Sequence, residues 1–135
     1  MGLFDIFKNK EPSFEKQVAE WIDFVLQQEV PTDVVAFCIN LYDDGDNNWS
    51  MELVGTESFD ADDSDWPCDE ITDFDTRANP FRWNKDAEWN VVLEEAIGAL
   101  KLYLDNGKHA SALKMKKGVG AGFVDGDVEV IWCKE

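Results

Sequence analysis

The sequence predicts an α+β domain: an antiparallel sheet of about four to five strands with two main helices packed on one face. Three observations carry this. Two stretches repeat apolar residues at helical spacing. Two others set alternating apolar residues on either side of turn formers, the mark of a β-hairpin. The stretches occur in the order helix, strand, strand, short strand, helix, strand, strand, with no internal repeat and no separate linker. Residues 1–135 therefore read as one domain, with residues 1–10 as a candidate flexible N-terminal arm.

The first helix is expected from Ser13 to Gln28. Ser13 can cap it, Glu15 suits the positive end of the helix dipole, and Pro31 closes the segment. Phe14, Val18, Trp21 and Val25 form one apolar stripe, which Ile22 and Leu26 widen. From Val34 to Tyr42 the chain reads as a buried strand, with Phe37, Ile39 and Leu41 on one face and Ala36, Cys38 and Asn40 on the other. Trp49 to Val54 is its hairpin partner across the turn formers Asp43 to Asn48. Residues 55–84 have no clean period; Asp60 to Pro67 reads as an acidic loop, and Ile71 to Phe74 offers a short strand. The second helix is expected to be capped by Asn84, to bury Trp89, Leu93, Ala96, Ile97, Leu100 and Leu104, and to stop in a left-handed turn at Asn106-Gly107. Ala110 to Lys117 suits a short helical turn. The last hairpin pairs Val119–Val124 with Val128–Trp132 across Asp125-Gly126, a type I′ signal. Gly118, Gly120 and Gly122 leave three positions on one strand face without side chains, which permits close approach by a ring or another backbone.

Charge is the other strong signal. Between Lys16 and Arg77 there is no lysine or arginine, and residues 17–76 hold 17 Asp or Glu, equal to the whole formal net charge of −17. The other 75 residues balance, with 12 acidic and 12 basic side chains. A long acidic segment repels nucleic-acid phosphates and acidic membranes and attracts basic proteins. With 13% aromatic residues and six tryptophans, the charge belongs to a folded body rather than a disordered tail. No apolar run approaches the roughly 20 residues of a membrane span. The start, Met1 to Phe7, has no basic leading region for a signal peptide and no Ser or Thr at position 6 for myristoylation. Cys38, Cys68 and Cys133 are odd in number and widely spaced, which suits free thiols in a reducing cytoplasm rather than a disulfide framework or a zinc site.

The chemical motifs are mostly excluded. Taking Gly45 as the sixth residue of a calcium loop puts Tyr42 at a ligand position, so that motif fails and no dedicated metal site is expected. The three glycines precede a hairpin, whereas a phosphate loop opens a helix. His109 is the single histidine and suits a solvated or capping role. No nucleophile elbow is present, so the chain is expected not to be an enzyme and to need no cofactor. What remains is the acidic loop, in which Trp66 sits among Asp60, Asp62, Asp63, Asp65, Asp69 and Glu70. An aromatic anchor ringed by charge of one sign suits a surface for a basic partner, the ring supplying buried area and the charges hastening encounter. Trp66 could equally pin the loop to the core.

Three stretches also resemble small acidic bacterial immunity proteins, which neutralise toxins of polymorphic or contact-dependent systems: Trp49 to Gly55, Asp62 to Glu70, and Gly122 to Asp127. The resemblance implies a cytoplasmic binding protein without catalysis, and neither a topology nor contact residues. The leading expectation is an inhibitor or adaptor that uses residues 43–75 to grip a basic protein, such as a nuclease toxin. The alternatives are a small-ligand or enzymatic domain with a pocket between the sheet and the second helix, and a calcium-responsive module in the acidic loops.

Overall fold

Ser13 caps the first helix as its position suggests. In the computed structural model, which describes residues 12–134, its hydroxyl accepts a hydrogen bond from the Lys16 amide at 3.2 Å. Helix α1 runs Phe14–Val25 and buries Val18, Trp21, Ile22 and Val25. The candidate arm, residues 1–10, lies outside the described residues.

Strands β1 (Ala36–Gly45) and β2 (Asn48–Thr56) form the expected hairpin. Its turn places Asp46 and Asn47 at φ 54° and 64°, the paired positive values of a type I′ turn. Beyond it come β3 (Glu70–Asp75) and β4 (Phe81–Asn84). Helix α2 spans Trp89–Asn106 and a short α3 spans Ala110–Lys114; β5 (Gly118–Phe123) and β6 (Glu129–Cys133) end the chain.

The architecture is α+β with an open sheet, but the sheet is larger than expected and is not purely antiparallel. Among the described residues it has six strands in the order β3-β2-β1-β5-β6, with β4 also paired to β2. Strand β5 runs parallel to β1, placing Cys38 beside Gly120 and Asn40 beside Gly122. A parallel neighbour needs a crossover connection, and the chain supplies one through α2 and α3. β1 is thus central, which suits its nearly continuous burial from Ala36 to Leu41. β3 and β4 follow one another along β2, pairing with Val54–Thr56 and with Asn48–Met51. Between them the buried Thr76 hydroxyl accepts from the Leu53 amide at 2.8 Å, satisfying a donor at the break in the ladder.

Three local expectations are corrected. Asn84 does not cap α2; it ends β4 opposite Asn48, and the helix begins only at Trp89. Gly107 is extended, with φ −70° and ψ 153°, rather than left-handed. A Cβ there would meet the Tyr103 ring at 2.5 Å, so close approach is what that glycine permits. Asp125 and Gly126 do not have positive φ, so the last hairpin closes through a wider loop in which the Gly126 amide donates to Phe123.

Apolar side chains fill both sides of the sheet unequally. The larger core lies under α1 and α2, where Phe37, Ile39, Leu41, Met51 and Leu53 meet Trp21, Ile22, Ala96 and Leu100. A smaller one, of Ala36, Cys38, Val54 and Trp66 with Phe59, Val128 and Val130, lies on the opposite face. Among the described residues no helix is long and apolar enough to cross a membrane.

Candidate functional site

The acidic loop is a closed structure. It leaves the end of β2, and the Glu57 amide donates to the Asp69 carbonyl at 2.8 Å, joining its two ends. Such a compact loop with adjoining ends, packed by its own side chains, is an Ω-type loop. Two of its turns are held by carboxylates: Asp60 accepts from the Asp62 amide and Asp63 from the Asp65 amide, each at 2.9 Å. Asp69 accepts from the Ser58 hydroxyl near the base.

Trp66 pins this loop to the smaller core. It is 3% exposed, opens a 3₁₀ turn Trp66–Cys68, and packs edge-on against Phe59 at 4.8 Å between centroids. The glycine face of β5 makes the room. A Cβ on Gly120 would lie 2.8 Å from the Trp66 ring, one on Gly118 would strike the Phe59 ring, and one on Gly122 would strike the backbone of Asp127. The ring and backbone approaches that the glycine spacing suggests are both present. The ring is turned inward onto the sheet and is not an exposed aromatic.

Glu70 is also committed internally. Arg77, the first cation after the acidic segment, forms a two-pronged pair with Glu70, lies 3.2 Å from Glu52 and 3.6 Å from Asp75. Glu52 is 4% exposed and further accepts from the Tyr42 hydroxyl at 2.6 Å and the Asn40 amide at 3.3 Å. One guanidinium therefore bridges three carboxylates on the open face of the sheet and offsets only part of their charge. Burial first, then the hydrogen bond to Glu52, pushes the Tyr42 hydroxyl up to about 12. Burial, then Glu70 and Glu52, pushes the Cys38 thiol up to about 12 as well, which suppresses thiolate chemistry there. The three cysteines are free, with Cys68 and Cys133 exposed.

That leaves Asp60, Asp62, Asp63, Asp65 and Asp69 exposed at the loop surface, with no ion pair among the described residues. The rest of the acidic segment lies elsewhere. Glu20 and Asp23 ride on α1, on the helical side. Asp43, Asp44 and Asp46 lie at the β1–β2 turn, at the other end of the ten-residue β1 from Ala36. At roughly 3.3 Å per residue that is about 23 Å from Ala36 for Asp43 and about 30 Å for the turn. Residues 43–75 do not form one continuous face.

The turn end carries what the loop lacks. Trp89, expected in the α2 core, is 59% exposed, and Val124 is 48% exposed. Trp89 begins α2 level with Phe123, the last residue of β5, and meets it edge-on at 6.3 Å. The signal for its exposure was in the sequence only as Asp86 and Glu88 beside it. The pocket expected between the sheet and α2 is closed. Between the sheet and α2 only about 10 Å³ remains, lined by Trp21, Ile39, Leu53, Leu100 and Val119 among others, which is space for about one water. The expected alternative of a ligand pocket there has no room. Among the described residues no group of three or more His, Cys, Asp or Glu is placed to hold a metal ion.

No protein-family model, curated protein or solved structure matches the chain.

Proposed function

We propose that this chain is a non-enzymatic binding protein, of the inhibitor or immunity class, that grips a basic protein through carboxylates held on a fixed scaffold. One observation carries the reading. The loop bearing Asp60, Asp62, Asp63, Asp65 and Asp69 is nailed down by Trp66, yet its own carboxylates have no cationic partner among the described residues. A charged surface that is already ordered loses little conformational entropy on binding and steers a positive partner toward itself. If the partner is a nuclease, these carboxylates take the place of substrate phosphates.

The test is capture from the native host at low salt, with the wild type beside a variant carrying Asn at positions 60, 62, 63, 65 and 69. The reading expects a basic protein recovered by the wild type, lost from the variant, and released by salt. Recovery of no basic protein, or equal recovery by both chains, contradicts it.

A further inference from the structure

We propose that the open groove at the turn end of the sheet is a second contact point, which takes an apolar side chain carried between lysines or arginines on the partner protein. This rests on the reading above, since it supplies the apolar anchor that the acidic loop lacks. The groove has a volume of about 330 Å³ and is lined by Leu41, Trp89, Phe123 and Val124 along with Tyr42, Asp43, Asp125 and Gly126. Its floor is apolar: Leu41 is fully buried, and the Phe123 ring packs against Trp49 at 5.8 Å between centroids. Trp49 is itself fixed, its indole N–H donating to the Lys85 carbonyl at 2.9 Å. An exposed tryptophan over a rigid apolar floor has the form of a binding hot spot.

The rim decides which partner fits. Asp43 and Asp125 stand in the walls, and Asp46, Asp86 and Glu88 line the surface adjoining Trp89. None of these five is in an ion pair among the described residues. Lys85, the cation nearest to them in sequence, is held by Glu95 at 3.0 Å. Phosphates and anionic lipid are repelled by such a rim, and a second copy of the chain would bring acidic rim against acidic rim. An apolar residue flanked by cations satisfies floor and rim together.

Two short peptides, Lys-Lys-Leu-Lys-Lys and Lys-Lys-Ser-Lys-Lys with blocked ends, test this by NMR titration of the full chain at low salt. The leucine peptide is expected to shift the Trp89 indole and the amides of residues 123–126, and to bind about fivefold or more tighter than the serine peptide. Trp89→Ala and Val124→Ser should each remove that preference while leaving the remaining spectrum unchanged, because both side chains are largely exposed. The loop variant with Asn at positions 60, 62, 63, 65 and 69 should keep it. Equal binding of the two peptides, or shifts confined to residues 57–69, overturns the groove and leaves the acidic-loop reading standing. The absence of shifts with either peptide overturns both.

Discussion

Two neutral side chains on one face of the sheet, Cys38 and Tyr42, are disfavoured as anions first by burial and then by nearby carboxylates, so both are easier to ionise in the unfolded chain. Their ordinary values, 9.0 and 10.0, rise to about 12 in the fold. A raised folded value means the neutral form is favoured by folding. The stability it contributes is whole below the unfolded value and is lost as pH climbs through the folded one. Chemical denaturation should therefore show stability falling between pH 9 and about 12. Cys38→Ala and Tyr42→Phe should each flatten that slope. A wild-type stability constant to pH 12 would contradict the assignment. At this scale some local patterns were informative, while those at Asn84, Asn106-Gly107 and Asp125-Gly126 were not. Ser13 as a cap and Gly118, Gly120 and Gly122 as a bare strand face follow from spacing alone. Trp66 and Trp89 did not. Whether a loop tryptophan turns inward depends on the surface beneath it, and the vacancy that receives Trp66 is written 54 positions later at Gly120.

The acidic loop and the central strand show why elements are read more easily than their neighbours. Hairpin signals fix antiparallel partners across a short turn, and the β1–β2 pairing followed from them. The parallel pairing of β1 with β5 joins segments separated by two helices, and no local pattern encodes that choice. β4 went unseen because four residues are too few to establish a period, and its Asn84 resembles a helix cap. For the loop itself the prediction concerns Trp66. Its removal leaves a cavity over Gly120 and should cost about 3–5 kcal/mol in denaturant unfolding, the usual range for a buried aromatic changed to alanine. Amide exchange should accelerate at residues 57–69 more than in the sheet. Uniform acceleration, or a loss below about 1 kcal/mol, would show that the loop is not held by this ring.

Over the whole molecule, 29 acidic side chains face 12 basic ones, and the cation-free segment winds from the helical side to the turn end and on to the open face. The charge count was legible in the sequence; its division among three regions was not, because a run along the chain is cut up by the fold. Among the described residues, Arg77 pairs with Glu52, Glu70 and Asp75. Self-repulsion among the rest opposes folding, so the thermal midpoint should rise as salt is raised from about 0.01 M to about 0.15 M, where the Debye length shrinks from about 30 Å to about 8 Å. A midpoint that falls would mean that favourable ion pairs dominate.

The association rate with the basic protein captured at low salt, measured for the wild type and for the chain with Asn at positions 60, 62, 63, 65 and 69, asks most directly whether the pinned carboxylates serve recognition. The wild-type rate should fall steeply with added salt, and the variant should start slower and respond weakly. Equal rates and equal salt dependence for the two chains would contradict the account.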